Sequence, residues 1–415
     1  MSPLLREARF MLRDRGAVLW IVLAFLLSAA ATGFGIAEVR DQRATIAVLL
    51  EEDAKDRANA ISKYDAWGDA AYDAFHLTYA PPSRLAFAAL GQRDTAPWLH
   101  RVRMLSLEGQ IHEADTKNAD FGLIGRFDFA FLAASVAPLL LILLLHDLRA
   151  GERVGGRHDL LVATAGRSGL LWLPRALVRF AGLALALLVP FWAGALIEAA
   201  PLAAVLAASA LVLGALAVWW LIVEAVGSRP ATPAALLAAL VGIWLALALI
   251  FPAVAKTTIE ATHPVPDGAE ILMLQREAVN DAWDKPKAAT MEPFLARHPE
   301  WRAFGTVDKP FAWKWYFAFQ QVGDMQAEPI VRVYRAGRMA RDAAAEAAAW
   351  FSPAALVERE FERLAGTDTR AMIAYEDRVR AFHAELRAFH YPLLFREPAY
   401  DPLVFDKLPR YQPPR

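Results

Sequence analysis

Apolar runs and charged, helix-patterned stretches alternate along this chain. Five runs, 17–37, 128–146, 172–198, 199–226 and 231–255, carry charge only near their ends. Each approaches or exceeds the roughly 20 residues that an α-helix needs to cross a bilayer. The pattern predicts an all-α, polytopic membrane helix bundle of five spans, with a sixth left open. The first run is too long for the 7–15-residue apolar core of a cleaved signal peptide, so an uncleaved helix is expected there.

The polar stretches carry their own periodicity. Residues 1–16 predict an amphipathic helix, with Leu4, Leu5, Ala8, Met11 and Leu12 on one face and Arg6, Arg9 and Arg13 opposite. A basic amphipathic helix before a span fits an anionic membrane surface. The insert 38–127 continues the first span as a helix, breaks at Ala80–Arg84, and regains helical spacing over Trp98–Lys117. It is too small to hold a large core of its own and is expected to pack on the second soluble stretch, 256–415. There, Phe311–Phe319 alternates aromatics but runs into a helix-favouring Ala/Arg/Glu stretch, and helix is expected. Ser352-Pro353 is a helix start signal. Arg370–His390 reads as a further amphipathic helix, and the tail after it as irregular.

Charge then orients the bundle. The stretch His146–Phe180 holds Arg149, Arg153, Arg157, Arg167, Arg175 and Arg179 against Asp147, Glu152 and Asp159. Loops rich in arginine stay cytoplasmic. The amino terminus, the loop 147–171 and the turn at Arg229 therefore share the cytoplasmic side. The insert and residues 256–415 fall outside, as mostly helical extracytoplasmic domains. Asp128, His146, Glu198 and Glu224 lie near span ends, where snorkelling to the interface accounts for them.

Composition removes several functions. The net charge of −1 in 415 residues argues against nucleic acid as a partner. With no cysteine, thiolate metal sites and disulfides are excluded. There is no Walker A loop, no Gly-x-Ser-x-Gly elbow and no acidic pair at mid-span. His112-Glu113 lacks the second histidine of a zinc-binding helix, and His383 and His390 lack a third ligand, so neither catalysis nor a metal is expected. Arg149–Arg167 reads as a short helix with the apolar patch Leu160, Leu161 and Val162. It suits either docking to a partner or lying on the membrane. Trp283, Trp301, Trp313 and Trp315 are candidates for an external cargo or partner surface, or for core.

At the arginine-rich loop the chain resembles the ABC-2-type transporter permeases. The residues concerned are Asp147, Glu152-Arg153, Gly156-Arg157, Leu160-Leu161 and Ala165-Gly166-Arg167. Leu85–Arg103, Gly125–Phe131 and Ser352–Asp368 resemble a branch with large external domains, related to the permease of the nitrous-oxide-reductase maturation transporter. The resemblance implies a permease subunit of an ATP-driven exporter in a bacterial inner membrane. A separate ATPase would carry ATP and magnesium, leaving this chain without a cofactor. A second permease, identical or paralogous, would complete the pair. Glu152, Arg153, Gly156, Arg157, Leu160 and Leu161 would form the coupling helix, and Arg6, Arg9 and Arg13 would mark the elbow helix against membrane lipid. A periplasmic or outer-membrane partner is a further expectation. The alternative is a membrane-anchored sensor or assembly protein without transport.

Overall fold

A computed structural model describes residues 2–113, 127–165 and 169–414. Most of the stretch Gly125–Phe131 is described, but Gly125 and Arg126, like Gly166 and Arg167, lie outside the described residues. The chain is an all-α polytopic bundle carrying a largely helical domain, as the apolar runs predict. Helix α1 spans Pro3–Arg13 and α2 Arg15–Lys63. Ser2 caps the first, its Oγ accepting from Leu5 N at 3.3 Å. Asp14 then separates the two helices and caps α2 through the amides of Gly16 and Ala17. At 49 residues, α2 is about 74 Å long. A bilayer core takes roughly 30 Å of that, and the remainder is a mast that leads into the domain.

The other helices long and apolar enough to cross a membrane are α5 (129–145, prolonged by a turn), α8 (Gly169–Ile197), α9 (Leu202–Gly227) and α10 (Pro233–Thr262). Two of them contain a π turn, Leu132–Val136 in α5 and Ala246–Ile250 in α10. Each π turn ends two residues before a proline, Pro138 or Pro252. Proline has no N–H and crowds the carbonyl four residues back, so the helix widens there and releases carbonyls from the regular ladder. Side chains take up two of them. Trp244 Nε1 donates to Ser135 O at 2.9 Å, and Ser352 Oγ donates to Leu247 O at 2.7 Å.

The domain begins with α3 (Trp67–Asp73) and the antiparallel strands β1 (His76–Tyr79) and β2 (Leu99–Val102), which pair from His76–Val102 to Tyr79–Leu99. Helix α4 spans Leu107–His112. The helix expected over Trp98–Lys117, of which residues 98–113 are described, is there a strand followed by a short helix. Leu99–Val102 obeys the alternation of a strand, with His100 and Val102 buried and Arg101 exposed. The domain continues with α11 (Gly268–Asp284), α12 (Lys287–Arg297), α13 (Trp313–Ala349), α14 (Pro353–Ala365) and α15 (Thr369–Arg396). As expected, the insert and the later helices share one core: Trp67, Val102, Met104 and Ile111 pack with Phe294, Phe317, Tyr375 and Phe395.

Helix α14 departs from the expected division at residue 256. Its Ala354, Val357, Phe361 and Ala365 belong to the core of the spans, together with the segment 85–90. That segment wedges between α2 and α8 where both carry glycine. A Cβ on Gly35 would stand 1.9 Å from Phe87 O, and one on Gly194 would stand 2.3 Å from Thr32 Cγ2. Phe129 stacks on Phe191 at 4.6 Å, and Phe361 closes on Phe129 edge-on at 5.7 Å.

Candidate functional site

The arginine-rich loop is two helices, not the single one expected from its composition: α6 (Ala150–Val154) and α7 (His158–Ala165). The break falls at Gly155-Gly156, where Gly156 has φ +67°, a conformation glycine adopts without steric cost.

The base of this loop is tied to three other elements by charge. Arg175, on the first turns of α8, donates to Glu152 at 3.2 Å and to Glu7 of α1 at 3.2 Å. Arg157 donates to the other oxygen of Glu152 at 2.7 Å. One turn further along α8, Arg179 donates to Asp14 at 2.8 Å and to Leu144 O at the end of α5. Arg149 pairs with Glu224 of α9, and Arg153 donates to Ser228 O and Arg229 O on the following turn. Glu7, Asp14, Glu152, Arg157, Arg175 and Arg179 line a cavity of about 460 Å³ between α1 and the loop.

The candidate residues divide by direction. Glu152 and Arg153 face inward and act as ties. Gly156 makes the turn, and Arg157 is exposed yet held by Glu152. Leu160 is 67% exposed and Val154 71%, whereas Leu161 is half-buried. The loop therefore has a fixed, charged base and an apolar tip. On α1, Arg6, Arg9 and Arg13 are all exposed, and so are Leu4, Leu5 and Leu12. The edge turned toward α8 carries Met11 and the buried Glu7. Sequence reasoning passed over Glu7, although one acid in a basic helix is a detectable signal.

Two carboxylates expected to snorkel are instead buried. Glu198 is paired with Arg40 and Arg43 of α2. Asp128 caps α5 through Phe131 N and accepts from Leu90 N at 3.0 Å, so it holds the wedged segment. Glu224, the third, is the partner of Arg149.

On the domain side the four candidate tryptophans separate. Of the two readings open for them, surface or core, Trp301 and Trp315 are core. Trp315 Nε1 donates to Thr290 Oγ1 at 2.7 Å, and Trp301 stacks on Phe395. Trp313 is half-buried over Gly68 and donates to Asp69. Trp283 alone of the four is exposed, packed edge-on against Trp315 and Phe319. His383 and His390 are both fully buried: His383 Nε2 bonds to Arg103 O at 3.0 Å, and neither ring nitrogen of His390 has a partner among the described residues.

Residues 269–414 match a family model described as a domain of unknown function, DUF3526. The match takes in α12 to α15 and nearly all of α11, so it includes both the domain helices and the helix seated among the spans. A search of the curated proteins and of the solved structures finds no match to this chain.

Proposed function

We propose that this chain is the transmembrane permease subunit of an ATP-driven exporter, with the arginine-rich side in the cytoplasm and the domain outside. The observation that carries the reading is the loop 147–171: an exposed apolar tip at Val154 and Leu160 on a base tied by ion pairs to α1, α8 and α9. A partner ATPase that grips the tip can move those helices because the base is fixed to them. Two apolar side chains amid charge are also the usual make-up of a docked helix, where apolar anchors give affinity and charge gives steering. The permease does no covalent chemistry in this reading. It changes the relative stability of inward-open and outward-open states, and its exposed span faces receive lipid and a second permease.

Val154→Asp with Leu160→Asp tests this. Both side chains are exposed, so the fold is not at risk. Mild-detergent capture of the tagged wild-type chain from its native host is expected to bring down a stoichiometric ATPase with Walker motifs, and the double variant is expected to lose it. If the wild type brings down no ATPase, even after cross-linking at the loop, the reading fails and the sensor or assembly alternative replaces it.

A further inference from the structure

Helix α10 runs two turns beyond its apolar stretch and packs alongside the end of α13 in the opposite direction. Phe251 meets Phe351 at 6.1 Å, and further along Arg341 Nε donates to His263 O at 2.8 Å. Between them lies a cavity of about 440 Å³, within the ~300–1,000 Å³ typical of small-molecule sites.

The two ends of this cavity differ in chemistry. Near the apolar run its walls are Phe251, Pro252, Ala255, Ala348 and Ala349. The flank outside them is exposed and apolar: Ile250 is 60% exposed, Val254 59%, Phe351 70% and Trp350 75%. Exposed aromatic residues at this level are what a protein presents to a membrane interface. The other end begins at Lys256, the first charge after the run, about 6 Å of helix from the far limit at Glu260. Lys256, Arg338, Arg341 and Arg359 line it. Two of these are committed to the protein, Arg338 to Glu376 and Arg359 to Asp342. Two retain donors. Lys256 is 4.0 Å from its nearest carboxylate, Glu260, and 76% exposed; the hydrogen bond Arg341 makes to the protein uses its Nε. Asp342 is neutralised twice, by Arg359 and by Arg370. A cavity that is apolar toward the bilayer and cationic away from it suits one class of ligand.

We propose that the cleft between α10 and α13 binds an anionic amphiphile from the domain-side leaflet, with its acyl chain against Phe251, Ala255 and Ala348 and its headgroup on Lys256 and Arg341. This site does not depend on the export reading, because it requires neither an ATPase nor movement.

Native mass spectrometry of the full chain in detergent, titrated with dioleoyl phosphatidylglycerol or dioleoyl phosphatidylcholine, tests it. The wild type is expected to retain one phosphatidylglycerol in preference to phosphatidylcholine. Each lysine or arginine near an anionic headgroup contributes about fivefold to its retention. Lys256→Gln with Arg341→Gln is therefore expected to lower phosphatidylglycerol retention roughly 25-fold and leave phosphatidylcholine unchanged. Ala348→Trp fills the apolar end and is expected to abolish retention of both. Excess inorganic phosphate is expected not to displace the lipid, since the acyl chain supplies half of the site. Equal retention of the two lipids, displacement by phosphate, or wild-type retention in both variants would each overturn the proposal. Lys256→Gln alone is a safeguard, because an exposed side chain changes no packing.

Discussion

Mild acid is expected to loosen the domain core and leave the spans in place. His76, His100, His383 and His390 are buried there. Burial lowers His100 to about 4, with His112 and Arg380 adding to it, and lowers His390 to about 3. Burial also takes His76 and His383 well below 6.5, helped by the nearby charges of His390 and Arg57 at His76 and of Arg387 at His383. A histidine with a lowered folded pKa stays neutral in the folded chain while the unfolded chain takes up a proton. Stability is therefore full above the unfolded value of 6.5 and is lost as the pH falls below it. At about pH 5 the folded values of His100 and His390 no longer matter, because both lie lower. Each residue then contributes about 2 kcal/mol, 1.5 pH units at 1.36 kcal/mol per unit. These two give roughly 4 kcal/mol, against the 5–15 kcal/mol that holds an ordinary domain folded, and His76 and His383 act in the same direction. Burial raises Asp324, which works the other way but starts from 3.8.

Helix α14 has the opposite sign. Burial raises Glu358 to about 7 and Glu362 to about 8, each carboxylate also repelling its acidic neighbours. A carboxyl with a raised folded pKa binds more protons folded than unfolded between about pH 5 and 7, so acid stabilises the seat of α14. Hydrogen exchange of the full chain at about pH 7.5 and 5, corrected for the intrinsic rates, separates the two responses. Protection over Thr369–Arg396 is expected to fall and protection over Pro353–Ala365 to hold or rise. In His390→Leu the two unpartnered ring nitrogens are removed, for a gain of about 1–3 kcal/mol at neutral pH. A further ~2 kcal/mol is expected at about pH 5. If His390→Leu lost as much protection on acidification as the wild type, burial of neutral histidine would not be the cause.

Two more predictions probe the ties. In Arg175→Gln, Glu7, which is 5% exposed, keeps among the described residues only the 3.2 Å contact with the exposed Arg6. The loss is set at ~2–3 kcal/mol, below the 3–5 kcal/mol of a fully buried pair because Arg175 is partly solvated. Faster exchange in Pro3–Arg13 is expected, with partial recovery in the double variant that adds Glu7→Gln; unchanged exchange there would refute the tie. Gly35→Ala places a Cβ against the carbonyl of Phe87 and is expected to cost at least ~3 kcal/mol in thermal unfolding in detergent. Gly33→Ala, with nothing within 4 Å, is expected to be neutral or stabilising by up to ~1 kcal/mol. Equal effects at the two glycines would contradict the wedge.

The spans were legible because the bilayer imposes a length that an apolar run must meet, and local signals such as Ser2-Pro3 and Ser352-Pro353 mark helix starts whatever lies around them. Long-range destinations were not legible. In α14, Ala354, Val357, Phe361 and Ala365 form a narrow apolar stripe among charges. Such a stripe states that the helix packs on something, but the same stripe would serve on another domain helix. Trp301 and Trp315 had no mark to separate them from the exposed Trp283, because burial of an indole depends on partners such as Thr290 and Phe395 far along the chain. The strand Leu99–Val102 was hidden for a similar reason: four residues fit either period, and only the pairing with His76–Tyr79 decides. Ion pairs such as Glu7 with Arg175 join residues 168 apart, where no local pattern can indicate the partner.

Ser352–Asp368, the segment 85–90 and Asp128 with Phe129, far apart in the sequence, meet at one place, and this joins the domain to the spans. Irregular backbone survives beside apolar helices only when its polar groups are taken, since each one left open there costs several kcal/mol. Segment 85–90 and its flanks meet that demand. Ala88 O accepts from Ala130 N, Ala89 O from Thr367 Oγ1, Leu90 N donates to Asp128 and Gln92 N to Thr367 O. Ser83 Oγ donates to Ala365 O at 2.6 Å, closing the other end. These bonds hold α14 and the domain-side end of α5, and the packing at Gly35 and Gly194 holds α2 and α8, to one irregular segment that cannot slide without exposing polar backbone. Helix α2 then runs without a break from that joint to the Asp14 cap, where Arg179 ties it to α8. A displacement of α8 at its arginine end therefore shifts α2 and, at the far end of the same two helices, the wedge and the domain seated on it.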